Sequence, residues 1–411
     1  IEPINPRDRP DYFLNRPEHA ADIIAKIGRS NVRIQFDFYH VQIVGGDLIR
    51  RFERHLPLVG HVQIAAVPSR HEPDEGEVNY PAMQLWLDQW VAAHTKDNIL
   101  NRWEPTEWRN WYLGDWARPN RTDEKAQRSV DLVSNCFRIQ CLDWMEKIAT
   151  VLDKPEDAAR YAALAEAARP AVQAAFYDPA RETYADDTQL DLAYPLMERI
   201  TPEALRPAIL DRLEKDILVK HEGHLDVGLA GVPLLTRALM EMDRNDLVFS
   251  YVNQTTFPGW GYMLANGATT TWEHWDADRS HIHNCYNGVG MWFYRALAGI
   301  QPDPEAPGFK HFTLRPEVVG DVTWVKAEQN TVRGTIKSAW RIEKDRFMWD
   351  VLVPPNATAT IEPPVADAAS IEESGKPVTE CAGITIGEPA GGRAVLTAPA
   401  GQYAFSMPWG K

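Results

Sequence analysis

From Pro81 to about Ile300 the chain carries helical apolar periodicity almost without a break, and on both sides of that stretch the pattern changes. This block constrains the fold most, because amphipathic helices in such number must cover one another's apolar faces. Arg128–Leu152 sets Val130, Val133, Phe137, Cys141, Trp144, Ile148 and Val151 on one helical stripe. The next helix opens with Asp153, Pro155 and Glu156, residues suited to a first turn. Another opens at Thr201-Pro202, and Gly223–Met242 and His283–Ala298 read as two more. No fixed sequence period recurs, so paired helices in an α/α toroid are expected rather than a short-repeat solenoid.

Residues 1–66 follow a different rule. Ile1–Asn5, Val32–Phe38 and Val59–Ala66 read as strands, and Pro17–Ile27 and Val41–Leu56 as helices. Strand, helix and strand at this spacing form the parallel βαβ pattern. Polar residues gather at the strand ends: Glu2 and Asn5, then Asp37 and His40, then His61 and Gln63. In a TIM barrel those ends build the active site, but three strands cannot close an eight-stranded barrel. Pro68–Tyr80 is charged and carries Pro and Gly, which marks a boundary.

From Pro302 the pattern turns to short strands: His311–Arg315, Val322–Gln329, Thr331–Arg341, Arg346–Val353 and Thr358–Glu362, with turns at Gly320, Asn330, Asp345 and Pro354-Pro355. Gly383–Ile386, Ala394–Thr397 and Gln402–Ser406 continue it, and an antiparallel β-sandwich is expected. The fold class is therefore multidomain. A partial β/α, TIM-barrel-like segment spans 1–80, a partial (α/α)6 toroid 81–301, and a β-sandwich 302–411.

The net charge of -15 offers no basic stripe to meet phosphates, which argues against a nucleic-acid partner. No stretch reaches the length of a membrane span. Four cysteines, Cys136, Cys141, Cys285 and Cys381, show no disulfide or zinc spacing and fit a reducing compartment.

The fifteen tryptophans cluster between Trp103 and Trp116 and between Trp260 and Trp275. In Gly267-Ala-Thr-Thr-Thr-Trp-Glu-His-Trp275 a single carboxylate, Glu273, stands between two indoles. Indole faces suit the apolar faces of sugar rings, and a positioned carboxyl does acid or base work on a glycosidic bond. The plainer alternative is an aromatic helix start with one solvated Glu. Asn101–Trp116, dense in Trp, Arg and Asp, reads as a loop. It is either a sugar site or a loop packed down by its own aromatics. His281 and His283 lie two apart, but no carboxylate or cysteine on that element stands at ligand spacing, so no metal is expected there.

Five motifs occur here in the order they take in bacterial α-L-rhamnosidases of glycoside hydrolase family 78. They are Tyr112-Leu-Gly-Asp-Trp116, Gly223-His-Leu-Asp-Val-Gly-Leu-Ala-Gly231, Gly259-Trp-Gly-Tyr-Met263, Gly267–Trp275 and His283–Gly290. From Pro81 onward the chain resembles the later part of such an enzyme, an inverting glycosidase that uses two carboxylates. The resemblance implies that Glu273 is the general base, that Trp116 and His283 line the rhamnose pocket, and that Trp260 lies near it. It also implies a rhamnose-containing glycoside as partner and no cofactor. An inverting pair stands roughly 6.5–9.5 Å apart, leaving room for water. The family's general acid belongs to an Arg-rich motif ahead of the Gly-Asp-Trp segment. No such motif precedes Tyr112 here, and Glu104, Glu107 and Asp115 match no acid position. A glycosidase region with impaired activity is therefore expected.

The opening segment resembles hydroxypyruvate isomerase and 2-oxo-tetronate isomerase. The resemblance rests on Glu2-Pro-Ile-Asn5, Phe36-Asp-Phe-Tyr-His40, Gly60-His-Val-Gln-Ile-Ala65 and Gly76-Glu-Val-Asn-Tyr80. It implies Glu2, Asp37 and Gln63 as metal ligands, Glu2 also as acid/base, and His40 near the substrate. An intact site of that kind holds Mg or Mn. The family's second glutamate has no counterpart after Tyr80, so this half-site is not expected to bind its metal. Two alternatives thus stand beside the glycosidase: an isomerase fragment, and an inactive fusion of two enzyme fragments. No signal peptide leads the chain, which makes the bacterial cytoplasm the expected location. Because the chain opens on Ile1 it is read as a fragment, so a missing leader carries little weight.

Overall fold

The structure is a computed structural model that describes residues 1–65, 67, 80–102, 114–119 and 127–410. Most of the Asn101–Trp116 loop, Glu104 and Glu107 included, and the Pro68–Tyr80 stretch apart from Tyr80 itself lie outside the described residues. So does the Gly76–Tyr80 motif, again apart from Tyr80. The chain divides into two compact units, Ile1–Thr106 with Cys141–Ala167, and Glu107–Gln140 with Ala168–Lys411.

In the first unit, β1 (Ile34–Asp37) pairs in parallel with β2 (Val59–Gln63), and the register sets Asp37 beside Gln63. Ile1–Asn5, expected as a third strand, is not one. It runs alongside β1 and is tied by Gln35 N–H to Ile1 O at 3.0 Å and by the Ile1 amino group to Arg33 O at 2.6 Å. Pro3 and Pro6 supply no N–H, so a ladder cannot continue along it. The helix expected at 41–56 is two, α2 (Phe38–Gly45) and α3 (Leu48–His55). Gly46 and Asp47 break it with φ of 61° and 51°. Phe36, Phe38 and Phe52 pack ring against ring, with Ala20 and Ile24 of α1 (Pro17–Ile27) in the same core. A second core joins Tyr80, Met83, Leu87 and Val91 to Leu142, Met145, Ala149, Tyr161 and Ala165. Beside it Arg160 grips Asp88 through two hydrogen bonds of 2.9 and 2.7 Å.

The long helix Gln127–Val151 forms where the periodicity placed it, but its buried side is turned from the expected stripe: Val133 of that stripe is buried and Cys141 and Ile148 pack against a core. Leu132, Cys136, Ile139, Leu142, Met145 and Ala149 are buried, whereas Phe137, Trp144 and Val151 of the expected stripe are exposed. Apolar residues lie on more than one side of this helix, so period alone did not name the buried side.

In the second unit the helices Gln189–Met197, Arg206–Lys215, Gly231–Glu241 and Asn245–Val252 pack around buried Leu190, Tyr194, Leu235, Leu239 and Tyr251. Thr188 and Asp191 close a capping box on the first of these. The helix expected from Gly223 starts only at Gly231, and the residues before it serve the site. The C-terminal strands hydrogen-bond into one nine-stranded network. The expected antiparallel arrangement is corrected to a mixed one, because Thr358–Ile361 pairs in parallel with His311–Leu314. Pro354-Pro355 is also not a turn. Arg346–Ile361 is one strand whose register shifts between Val353 and Thr358. Two residues without N–H interrupt the ladder there but do not reverse the chain. Its core holds Trp340, Phe347, Trp349 and Phe405.

Candidate functional site

Two of the sequence motifs meet in one clamp. The Asp115 carboxylate accepts from the backbone N–H of Gly228 at 2.8 Å and of Gly231 at 2.6 Å, and Trp116 O accepts from Leu229 N–H at 2.8 Å. The close approach explains both glycines. A Cβ on Gly228 would lie 1.9 Å from Trp116 O, and one on Gly231 would lie 2.5 Å from Asp115 Oδ2. Arg118 Nη2 donates to Asp226 Oδ2 at 2.5 Å across the same junction. Loss of water raises the Asp115 carboxyl to about 6, against the opposing pull of the two N–H groups and Arg118. Both oxygens of Asp115 are thus engaged with backbone at the start of a helix, a positioning role.

This clamp sets Trp116 at the site. Its ring meets His274 edge-on at 5.8 Å, and the Arg279 guanidinium lies over it at 5.5 Å. Glu273 sits on a hairpin. Its N–H donates to Ser280 O at 2.8 Å, and Ser280 N–H reaches its Oε2 at 3.4 Å. Two residues before Glu273, His283 N–H donates to Thr271 O at 2.9 Å, and the Thr271 hydroxyl bonds His283 O. Glu273 and His283 therefore ride on opposite arms of one hairpin. Behind them Trp275 is buried, stacked on Tyr286 at 3.9 Å, and donates from Nε1 to Val227 O at 2.9 Å. The Tyr286 hydroxyl lies within hydrogen-bond reach of Ala117 O, 2.9 Å, and Glu273 O, 3.1 Å. Trp272 is buried under His281, with centroids 5.2 Å apart. Trp260 meets Trp275 edge-on at 5.2 Å, and its buried Nε1–H has no hydrogen-bond partner among the described residues.

Glu273, Trp116, Trp260 and His283 thus belong to one connected cluster. Sequence reasoning passed over Arg118, Asp226, Tyr286 and Arg279 as site residues. Asp226 and Tyr286 lie inside two of the ordered motifs, which was their only signal; Arg118 and Arg279 show their role only through contacts distant in sequence.

In the first unit, Glu2, Asp37 and His40 bring ligand atoms within 4.8 Å of one another, and they are the group of this kind among the described residues. His40 Nε2 lies 3.8 Å from Glu2 Oε1 and 3.7 Å from Asp37 Oδ2. One terminal atom of the Gln63 amide lies 3.2 Å from Glu2 Oε1 and 3.3 Å from Asp37 Oδ2. Asp37 and His40 are buried, and Asp37 Oδ1 caps α2 by accepting from Tyr39 N–H at 2.8 Å. His281 and His283 form no such group among the described residues.

Along the chain, a βαβ piece precedes a helical region that carries an aromatic–carboxylate hairpin, and a sheet domain follows. Comparison with known families agrees. Residues 76–297 match the bacterial alpha-L-rhamnosidase 6 hairpin glycosidase domain, 299–377 the bacterial alpha-L-rhamnosidase C-terminal domain, and 1–89 the xylose isomerase-like TIM barrel. The chain belongs to the bacterial α-L-rhamnosidase six-hairpin glycosidase family. It is 29% identical over 311 residues to an alpha-L-rhamnosidase of Formosa agariphila, covering 72% of this chain and 32% of that protein. It is 49% identical over 98 residues to the 2-oxo-tetronate isomerase of Cupriavidus necator, covering 23% of this chain and 38% of that protein. Among solved structures it is similar to the Streptomyces avermitilis alpha-L-rhamnosidase complexed with L-rhamnose, at 27% identity and a TM-score of 0.69, covering 80% of this chain and 30% of that one. The chain spans about a third of the length of the curated rhamnosidases it matches.

Proposed function

We propose that this chain carries the later part of an inverting α-L-rhamnosidase site, within a partial (α/α)6 toroid, directed at a terminal α-L-rhamnose. Glu273 is the general base, Trp116, His283 and Trp260 hold the sugar, and no cofactor takes part. The observation that carries this reading is the cluster itself. It sets one half-buried carboxylate on a hairpin among stacked aromatics, with a buried indole N–H from Trp260 still unpaired for a ligand oxygen. The base takes a proton from water as it attacks the anomeric carbon, and the departing oxygen needs a proton from the opposite side. No residue before Tyr112 matches the family's acid, so we propose that hydrolysis is impaired and depends on how good the leaving group is.

The test uses α-L-rhamnosides with graded leaving groups. A dinitrophenyl rhamnoside should be cleaved and an alkyl rhamnoside should not, and Glu273→Gln should abolish the first activity. An unchanged rate in Glu273→Gln would remove Glu273 as the base. Comparable cleavage of the alkyl rhamnoside would show that a working acid is present.

A second reading rests on the convergence of Glu2, Asp37 and Gln63. The Gln63 amide nitrogen donates to both carboxylates, and a cation between them would turn the amide so that its oxygen faces the ion, giving an all-oxygen set that suits Mg or Mn. Such a cation would polarise the oxygens of a small hydroxy-carbonyl compound. With three ligands from the described residues, binding should be weak. Mn titration followed by electron paramagnetic resonance, repeated with Glu2→Gln, tests it. No bound fraction at millimolar Mn would end this reading, and hydroxypyruvate isomerisation lost in Glu2→Gln would extend it.

A further inference from the structure

We infer that Asn5 locks His40 as the Nε2–H tautomer, so that His40 faces Glu2 and Asp37 as a hydrogen-bond donor and not as a metal ligand. The orientation of the Asn5 amide is settled by its neighbours. Asp8 N–H must donate, and it reaches Asn5 Oδ1 at 2.9 Å; the Asp8 carboxylate must accept, and Asn5 Nδ2 reaches it at 3.1 Å. The other Asn5 Nδ2 hydrogen then points at His40 Nδ1, 2.6 Å away. Asn5 backbone N–H approaches the same ring nitrogen at 3.4 Å. Two donors on Nδ1 require it to present a lone pair, so the ring proton sits on Nε2. Asn5 and His40 are both buried, and the Tyr39 hydroxyl braces Asp8 at 3.2 Å.

Proximity alone groups His40 with Glu2 and Asp37 as ligands. The tautomer divides that group: two carboxylates that accept, and one imidazole whose near nitrogen already carries hydrogen. Ligating histidines normally have their second nitrogen donate to an acceptor, which frees the first nitrogen for the metal. Asn5 imposes the reverse. The tautomer follows from the geometry alone, while its consequence for a cation rests on the second reading above. Asn5 is accordingly a positioning residue, and a cation here would take oxygen ligands.

The experiment is nitrogen-15 NMR of the histidine rings in the full chain, with His40 assigned by its loss in His40→Gln. In the wild type, Nε2 should carry the proton and Nδ1 should be pyridine-like, and added Mg should leave both so. Asn5→Asp replaces a donor with an acceptor. It should move the proton to Nδ1 and raise the affinity for Zn at least tenfold relative to Mn, since a ring nitrogen joins the site. A wild-type Nδ1–H, or loss of the Nε2 proton on adding Mg, would overturn the proposal. Should Asn5→Asp not fold, the wild-type spectrum decides. Absence of any Mg response with Nε2–H intact would count against the cation reading and leave the tautomer standing.

Discussion

Asp115 Oδ1 accepts the Gly231 N–H at 2.6 Å, at the first residue of the helix Gly231–Glu241. One carboxylate therefore joins two sequence motifs more than a hundred residues apart and aims Trp116 at the cluster that holds Glu273. Gly228 is the tightest point of that junction, because a Cβ there would meet backbone, which cannot move aside. Gly228→Ala should lower stability by about 3 kcal/mol or more. Gly290→Ala is the control. A Cβ there meets nothing within 4 Å, and its φ of -55° is helical, so it should be neutral or stabilising by up to about 1 kcal/mol. Thermal unfolding of both variants checks the contrast.

Asp191 gives a signed pH effect. Burial raises its carboxyl to about 6, although Ser129 and the Thr188 N–H bond it. The folded chain then holds this proton more tightly than the unfolded chain, so the residue's contribution to stability is greatest below about pH 4 and falls as pH rises to about 6. Asp191→Asn removes that loss. Its stability relative to wild type should rise by about 2–3 kcal/mol between pH 4 and 6 and stay level above. Denaturant midpoints of the two proteins across that range check the sign, and a flat difference would contradict it.

Ser338 links the sheet domain to the end of the helical region. Its hydroxyl donates to Ala298 O at 2.6 Å and accepts from Trp349 Nε1–H at 3.0 Å, and all of these groups are buried. Ser338→Ala leaves a buried carbonyl and a buried indole N–H unpaired, and should destabilise by about 2–4 kcal/mol. Trp340 Nε1 keeps its own bond to Leu297 O at 2.7 Å, so the loss should be partial and the fold retained. Circular dichroism with thermal unfolding separates a lowered midpoint from a lost fold.

Trp260 offers a test of the sugar site apart from turnover. Trp260→Phe keeps an aromatic ring against Trp275 but removes the unpaired Nε1–H. Binding of free L-rhamnose, measured by calorimetry, should weaken by about 5- to 30-fold, as for loss of one buried hydrogen bond. Unchanged binding would place the sugar elsewhere.

The sequence by itself determined what depends on neighbours along the chain. The strand pattern over Val32–Phe38 and Val59–Ala66 located the strands that carry Asp37 and Gln63, and helical period over Arg128–Leu152 located the long helix Gln127–Val151. The ordered motifs around Gly-Asp-Trp and Trp-Glu-His-Trp pointed to Glu273 and Trp116 before any coordinates. Tertiary structure decided what depends on partners far away in the chain. Which side of Gln127–Val151 is buried follows from what packs on it, and apolar residues lie on several sides. Pro354-Pro355 reads locally as a turn, yet pairing with Leu396–Pro408 on both sides of it keeps the strand going. Asp115 reads locally as one acidic residue of a loop dense in Trp and Arg, yet two N–H groups more than a hundred residues away make it a clamp. The proton on His40 depends on Asn5, 35 positions earlier, and on Asp8, which fixes the Asn5 amide. Periodicity records which residues share a face; only the folded chain brings a donor and an acceptor within 3 Å.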